Sequence, residues 1–220
     1  MEWLAKKLAN NIAVSLNYDA EKESVVAYGL IAMIQTFCTV LLVLIFGLII
    51  GAPIEALIVC FSVSILRKYS GGAHVGTIEE CTAIAVIYSV GCAAVSKFLL
   101  ASHMNLYINI ALILVVFLIS YITIHILAPV DSPRKPIKTE TKRKRMKKGS
   151  YIVITVYLVI ETALVILQYR YTFVNSFILS LMFGLAWQIF TLTRVAAHFL
   201  QLIDNSLNYI FKKRKEADCV

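Results

Sequence analysis

One histidine and one cysteine lie seven positions apart in RKYSGGAHVGTIEEC, residues 67–81, a polar, glycine-marked stretch between two long apolar runs. A thiol and an imidazole within hydrogen-bond reach make a cysteine nucleophile: the ring takes the proton and the thiolate attacks a carbonyl carbon. Thr77-Ile78-Glu79-Glu80 fits a capping box, with Thr77 as N-cap and Glu80 at the third helical position. Cys81 then falls in the first turn of a helix or just past it, where unpaired N–H groups and the positive end of the helix dipole favour a thiolate. Glu79 and Glu80 oppose that effect. On one straight helix His74 and Cys81 would stand about 10 Å apart along the axis. Gly71, Gly72 and Gly76 permit the tight backbone that could bring His74 back to the thiol, and Glu79, Glu80 or Ser70 could orient the ring. The plain alternative is a glycine-rich loop with an idle histidine, followed by a cysteine facing lipid or a packed neighbour.

Other chemistries find less support. The sequence has no CxxC, no HExxH and no GxSxG, so it offers no zinc or disulfide framework, no zincin site, no serine-hydrolase elbow and no cofactor motif. Cys38, Cys60 and Cys92 lie inside apolar runs, and Cys219 lies in a basic tail. His103, His125 and His198 read as interfacial or packed. His125 is the better spare, because it enters the same layer as His74.

The elements that must position this stretch are membrane helices. Of the 220 residues 60% are hydrophobic and 15% charged, and the mean hydropathy is +0.80. The N-terminal stretch lacks the central apolar block of a secretory signal. Residues 25–66 form one nearly continuous apolar run, which as a single helix would measure about 63 Å, roughly twice a bilayer's hydrocarbon core. It must fold back, and Gly47, Gly51 and Pro53 can make the turn. Later runs cover about 78–100, 106–128, 151–169 and 172–199. The expectation is an all-α integral membrane protein with about six transmembrane helices in a single polytopic domain, 1–220.

With a cytoplasmic N-terminus, the inside segments are 1–24, 67–77, 129–150 and 200–220. Of the 21 Lys and Arg residues, only Lys97, Arg170 and Arg194 then fall elsewhere, as the positive-inside rule requires. The net charge of +8 flanks apolar spans, so it points to orientation and anionic lipid rather than nucleic acid. Residues 1–24 begin with an amphipathic stretch: Leu4, Leu8, Ile12 and Leu16 lie near one face with Trp3 beside them, and Lys6, Lys7, Asn10 and Asn11 lie on the other. That pattern fits an interfacial helix. The basic segment PRKPIKTETKRKRMKKGS, 133–150, reads as a solvated loop for topology, lipid contact or an acidic partner. Glu161 and Arg194 are costly in lipid, and their depths permit a mutual pair. A small transporter or exporter with a path lined by Glu55, Glu161 and Arg194 is the main alternative function. A membrane adaptor working through the basic loop is another.

RKYSGGAH followed by Cys81, and then LAPVDSPRKPI at 127–137, resemble the signature regions of the accessory gene regulator B (AgrB) family. The resemblance rests on Gly72-Ala73-His74 with Cys81, and on Ala128, Pro129, Lys135, Pro136 and Ile137. It implies a membrane cysteine endopeptidase of Gram-positive quorum sensing, multi-pass in the plasma membrane, with its active site on the cytoplasmic side. Such an enzyme removes the acidic C-terminal tail of an AgrD-like propeptide and helps close a thiolactone or lactone ring. By position, the resemblance makes Cys81 the nucleophile and His74 the general base. Arg67 and Gly72 match supporting positions, and Gly71, Glu79 and Glu80 stand beside them. Lys68, Arg134, Lys135 and Pro136 are the candidates to meet the acidic tail. A homodimer is the expected assembly. The tail ending in Cys219 is left unexplained by the resemblance.

Overall fold

The structure, a computed structural model, describes residues 2–16, 18–73, 77–131 and 139–204. The order is α1 (Glu2–Leu16), α2 (Ala20–Ile49), α3 (Pro53–Ser70), α4 (Ile78–Ala94), α5 (Leu106–Leu127), α6 (Glu140–Gln168) and α7 (Val174–Phe190). A π-helical turn, Val95–Leu100, and a 3-10 turn, Ala101–His103, continue α4. A short α8, Arg194–Asp204, is bent 88° away from α7. Side-chain oxygens cap several starts: Asp19 accepts from the Lys22 N–H, Asn105 from Ile108 and Thr139 from Lys142. The long apolar run turns at residues 50–52, and Pro53 opens α3.

α3 and α7 form the interior. They run parallel, joined at their starts by Ser176 donating to Glu55 (3.0 Å) and at their ends by Gln188 donating to Ser70 (3.0 Å). Midway, Gly184 lets α7 approach α3. A Cβ there would stand 1.7 Å from the Ser62 hydroxyl oxygen, and Tyr157 of α6 donates to the Ser62 carbonyl (2.9 Å). The main apolar cluster gathers Leu66, Phe117, Ile154, Ile178 and Leu185 from α3, α5, α6 and α7.

Four segments are long and apolar enough to cross a membrane: α2, 78–103, α5 and α6. The bent pair α7–α8 makes a fifth if it counts as one span. α3 falls short of this measure, against the six spans anticipated. It has 18 residues and carries Glu55, Arg67 and Lys68. It is nevertheless sheathed by α2, α4, α6 and α7, so Glu55 is buried against protein and Arg67 half-buried, while Lys68 near its end is exposed.

Three anticipated features come out differently. The run at 172–199 is not continuous, because the chain turns at 191–193, and Arg194 emerges exposed at the start of α8. It makes no pair with Glu161, which is fully buried and has no hydrogen-bond partner among the described residues. The basic segment is also not all loop. Residues 140–150 extend α6, aided by the Thr139 cap, good helix formers and a Glu140–Lys144 pair at 2.9 Å. In α1 the buried stripe is Ala5, Ala9 and Ala13, whereas Trp3, Leu8 and Leu16 remain exposed.

Glu55 has its own partner. Lys97, on the π turn, stands 3.4 Å from the Glu55 carboxylate and donates to the Gly51 carbonyl at 2.8 Å. With Glu55 paired and Arg194 exposed, the three charges do not line one interhelical path. Lys97→Met leaves the buried Glu55 carboxylate with the Ser176 hydroxyl but without its cation, and should cost about 1–3 kcal/mol. Thermal unfolding in detergent checks this, and adding Glu55→Gln should recover most of the loss. An unshifted melting temperature in Lys97→Met would show that the pair contributes nothing.

Candidate active site

The site is built where α3 runs out. Gly71 caps the helix at φ +69° and ψ −151°, with its N–H on the Arg67 carbonyl (3.0 Å). Only glycine adopts that backbone readily. A Cβ on Gly71 would also lie 2.1 Å from the Val130 carbonyl oxygen. The next residue, Gly72, has φ +141°, and its Cβ would meet the Thr191 hydroxyl at 2.8 Å. Both glycines are therefore demanded by close approach as well as by backbone angle.

The loop they begin is pinned from two sides. Residues after α5 reach it first: Val130 donates to the Ser70 carbonyl (2.9 Å) and bridges Gly71 in parallel β fashion. The two signature stretches of the sequence, 67–74 and 127–137, thus meet through their described parts. From α7, the Gln188 amide donates to the Gly71 carbonyl (2.7 Å), and the Ala73 N–H donates to the Thr191 carbonyl (2.9 Å). Arg67 donates across the loop to the Ala73 carbonyl.

Opposite this loop, α4 starts with the capping box. Glu80 N–H donates to the Thr77 hydroxyl (3.2 Å), and Thr77 N–H donates to the Glu80 carboxylate (3.0 Å). Cys81 follows at the fourth helical position, half-buried, with its own N–H bonded to Thr77 (3.2 Å). Arg67, Ala73 and Cys81 line one cleft with a free volume of about 50 Å³, open on one side, and Tyr88, Trp187 and Leu200 line its further walls. Half-buried Arg67 shares this cleft with Cys81, and its Nε is enclosed without a hydrogen-bond partner among the described residues.

Not every residue singled out by sequence joins this cleft. His74 lies outside the described residues, as do Arg134, Lys135 and Pro136. Ala73, which precedes His74 in the chain, is at the cleft. Lys68 is exposed, over the ring of Tyr69. Glu80 spends its carboxylate on the cap, and the Ser70 hydroxyl donates to Leu66 (3.0 Å), so both are engaged in local structure. Glu79 is exposed. His125 Nδ1 shares a hydrogen bond with the Tyr151 hydroxyl (2.9 Å). Gln188, Thr191, Tyr88 and Trp187 were not anticipated. Gln188 carried one signal, an amide in an otherwise apolar segment, which is costly unless it finds a partner.

The sequence model of the family described as Accessory gene regulator B matches residues 5–192, which include the cleft's lining apart from Leu200. The chain belongs to the AgrB family. Two AgrB-like proteins of Clostridium perfringens agree with this. One, from strain 13 / Type A, is 40% identical over 210 residues, covering 94% of this chain and 98% of its own. The other, from strain SM101 / Type A, is 41% identical with the same coverage. No solved structure matches. AgrB membership supports a role in agr quorum-sensing peptide processing, and the several apolar helices agree with AgrB proteins being membrane proteins.

Proposed function

We propose that the chain is a membrane cysteine endopeptidase that cuts the C-terminal tail from an AgrD-like propeptide and promotes closure of its ring. The observation that carries this reading is the shared cleft of Arg67, Ala73 and Cys81, with Cys81 at a capped helix start. His74, the residue after Ala73, takes the Cys81 proton. The thiolate attacks the scissile carbonyl, and the C–N bond breaks as the imidazolium gives its proton to the departing amine. An acyl thioester remains on Cys81. A thiol or hydroxyl within the peptide, deprotonated by His74, attacks that thioester and closes a thiolactone or lactone. The Cys81 sulfur leaves and recovers its proton from His74. Arg67 supports negative charge at the sulfur. Exchange of one thioester for another is nearly balanced, so the site must exclude water and hold the internal nucleophile close.

The topology that suits this chemistry places both termini and the cleft on the cytoplasmic side, with α1 lying along the lipid surface. Each of α2–α7 then runs from one end of the bundle to the other. In this arrangement Lys97 and Arg170 are the cations of the outer end, and Arg194 joins Arg67 and Lys68 near the site. The propeptide's acidic tail lies toward Lys68, Arg134 and Lys135, beside Pro136.

Co-expression with a propeptide encoded beside the gene, followed by mass spectrometry, tests the reading. The expected products are the free tail and a cyclic peptide lighter than the propeptide by the mass of that free tail. Absence of both would refute the function. Changing Arg134 and Lys135 to Gln should slow processing about tenfold for an acidic tail. It should slow a tail with neutralised acids far less. Equal slowing of both would remove the charge role.

A further inference from the structure

We propose that the cleft below Cys81 is a specificity pocket for a large apolar side chain, carried by the residue that donates the scissile carbonyl. This rests on the function proposed above and names the part of the substrate that the site reads.

The pocket's direction follows from helical spacing. Cys81, Ile84, Ala85 and Tyr88 occupy positions i, i+3, i+4 and i+7 of α4, so they share one face. All four line the cleft. The face runs about 10 Å from the turn holding the nucleophile to Tyr88. At that depth the floor is aromatic: the rings of Tyr88 and Trp187 stack with centroids 4.2 Å apart and planes 26° from parallel. The Tyr88 hydroxyl donates to the Phe183 carbonyl at 2.9 Å, so its polar atom is already satisfied. Between mouth and floor stands Ala85, whose small side chain leaves the width. Leu200, from α8, closes another wall.

Charge assigns the two halves of the substrate. Arg67 is the charged side chain among the cleft's described residues, and it belongs to the end that also carries Lys68 and Arg194. An acidic leaving segment is drawn to that polar end. The acyl segment, which stays on sulfur, is the one whose side chain can enter the apolar depth. An uncharged, unpaired occupant suits such walls, whereas a carboxylate or ammonium there would forfeit its hydration.

Active-site alkylation reads this without knowledge of the natural peptide. The probes are N-acetyl-phenylalanyl, N-acetyl-alanyl and N-acetyl-glutamyl chloromethyl ketones. Each alkylates a thiolate with loss of chloride, and peptide mapping separates Cys81 from Cys60, which also lines the cleft. Every rate is divided by the iodoacetamide rate of the same variant. Phenylalanyl should exceed alanyl and glutamyl at Cys81 roughly tenfold or more. Ala85→Phe fills the width and should bring the phenylalanyl-to-alanyl ratio to about one. Equal normalised rates for the three probes in the native chain would overturn the pocket, whatever Ala85→Phe does. A ratio unmoved by a folded Ala85→Phe would overturn the route past Ala85. Failure of the pocket and failure of the function are distinguishable. Non-selective alkylation in a chain whose propeptide cleavage needs Cys81 removes only the pocket, whereas cleavage that persists in Cys81→Ala removes both.

Discussion

Cys81→Ala is expected to lower propeptide cleavage by at least about 10³-fold, a loss of about 4 kcal/mol in transition-state stabilisation. The size follows from the role. Without the sulfur there is no acyl thioester, and the ring-closing step loses its activated carbonyl along with the cutting step. What remains is binding and electrostatic support, which accelerate hydrolysis only modestly. The fold should be untouched. Cys81 is half-buried, and its contribution to α4 is a backbone hydrogen bond to Thr77 that alanine keeps. The Thr77–Glu80 cap is likewise unaffected. Equal melting temperatures for the two chains, alongside lost cleavage, would separate chemistry from stability. Cleavage within tenfold of the native rate would remove Cys81 from the mechanism.

Gly71→Ala carries the second large effect, for a different reason. Gly71 sits at φ +69°, ψ −151°, where an L-residue costs about 1–3 kcal/mol. Its new Cβ would also lie 2.1 Å from the Val130 carbonyl oxygen. That atom is backbone, so trimming the Val130 side chain offers no relief. The loop must move, and with it go the Val130–Ser70 bond and the Gln188–Gly71 bond. Ala73 would then be displaced from the cleft that it shares with Cys81. A displacement of about 1 Å in a catalytic group is enough for about a 10²-fold loss. Cleavage assays with thermal unfolding should show that rate loss together with a lowered melting temperature. Ala at Gly29, where an added Cβ meets nothing within 4 Å, provides the matched control. Native-like cleavage in Gly71→Ala would mean that the loop's docking is not needed.

The features legible in the sequence were those set by neighbours in the chain. The Thr77–Glu80 box is a local exchange of hydrogen bonds over three residues, and it forms as read. The fold-back of the 25–66 run follows from length against bilayer thickness, with Pro53 at the turn. The all-helical character follows from long apolar runs. What escaped depends on partners distant in sequence. The sequence marks Glu55 as a costly charge, but its relief by Lys97 needs the π turn after α4 to meet the start of α3. The break at 191–193 has no proline or glycine to announce it, and it moved Arg194 from an anticipated span to an exposed helix start. The anticipated Glu161–Arg194 pair failed with it. At the site, Cys81 and the two glycines were readable from type and spacing. Gln188 and Val130, which hold the loop, were not, because each acts across more than fifty residues of chain. The aromatic floor was invisible for the same reason: Tyr88 and Trp187 belong to different helices and meet only in the packed bundle.

The central claim is that a covalent thioester forms on Cys81. It is tested most directly by intact mass spectrometry of the chain incubated with a propeptide whose ring-forming Cys or Ser is replaced by Ala, so that the acyl group cannot be passed on. The account predicts that the chain gains the mass of the N-terminal propeptide fragment less one water. The adduct should map to Cys81, be released by hydroxylamine and be absent from Cys81→Ala. A freed tail with no adduct on the chain, or an adduct on Cys60 that survives in Cys81→Ala, would contradict it.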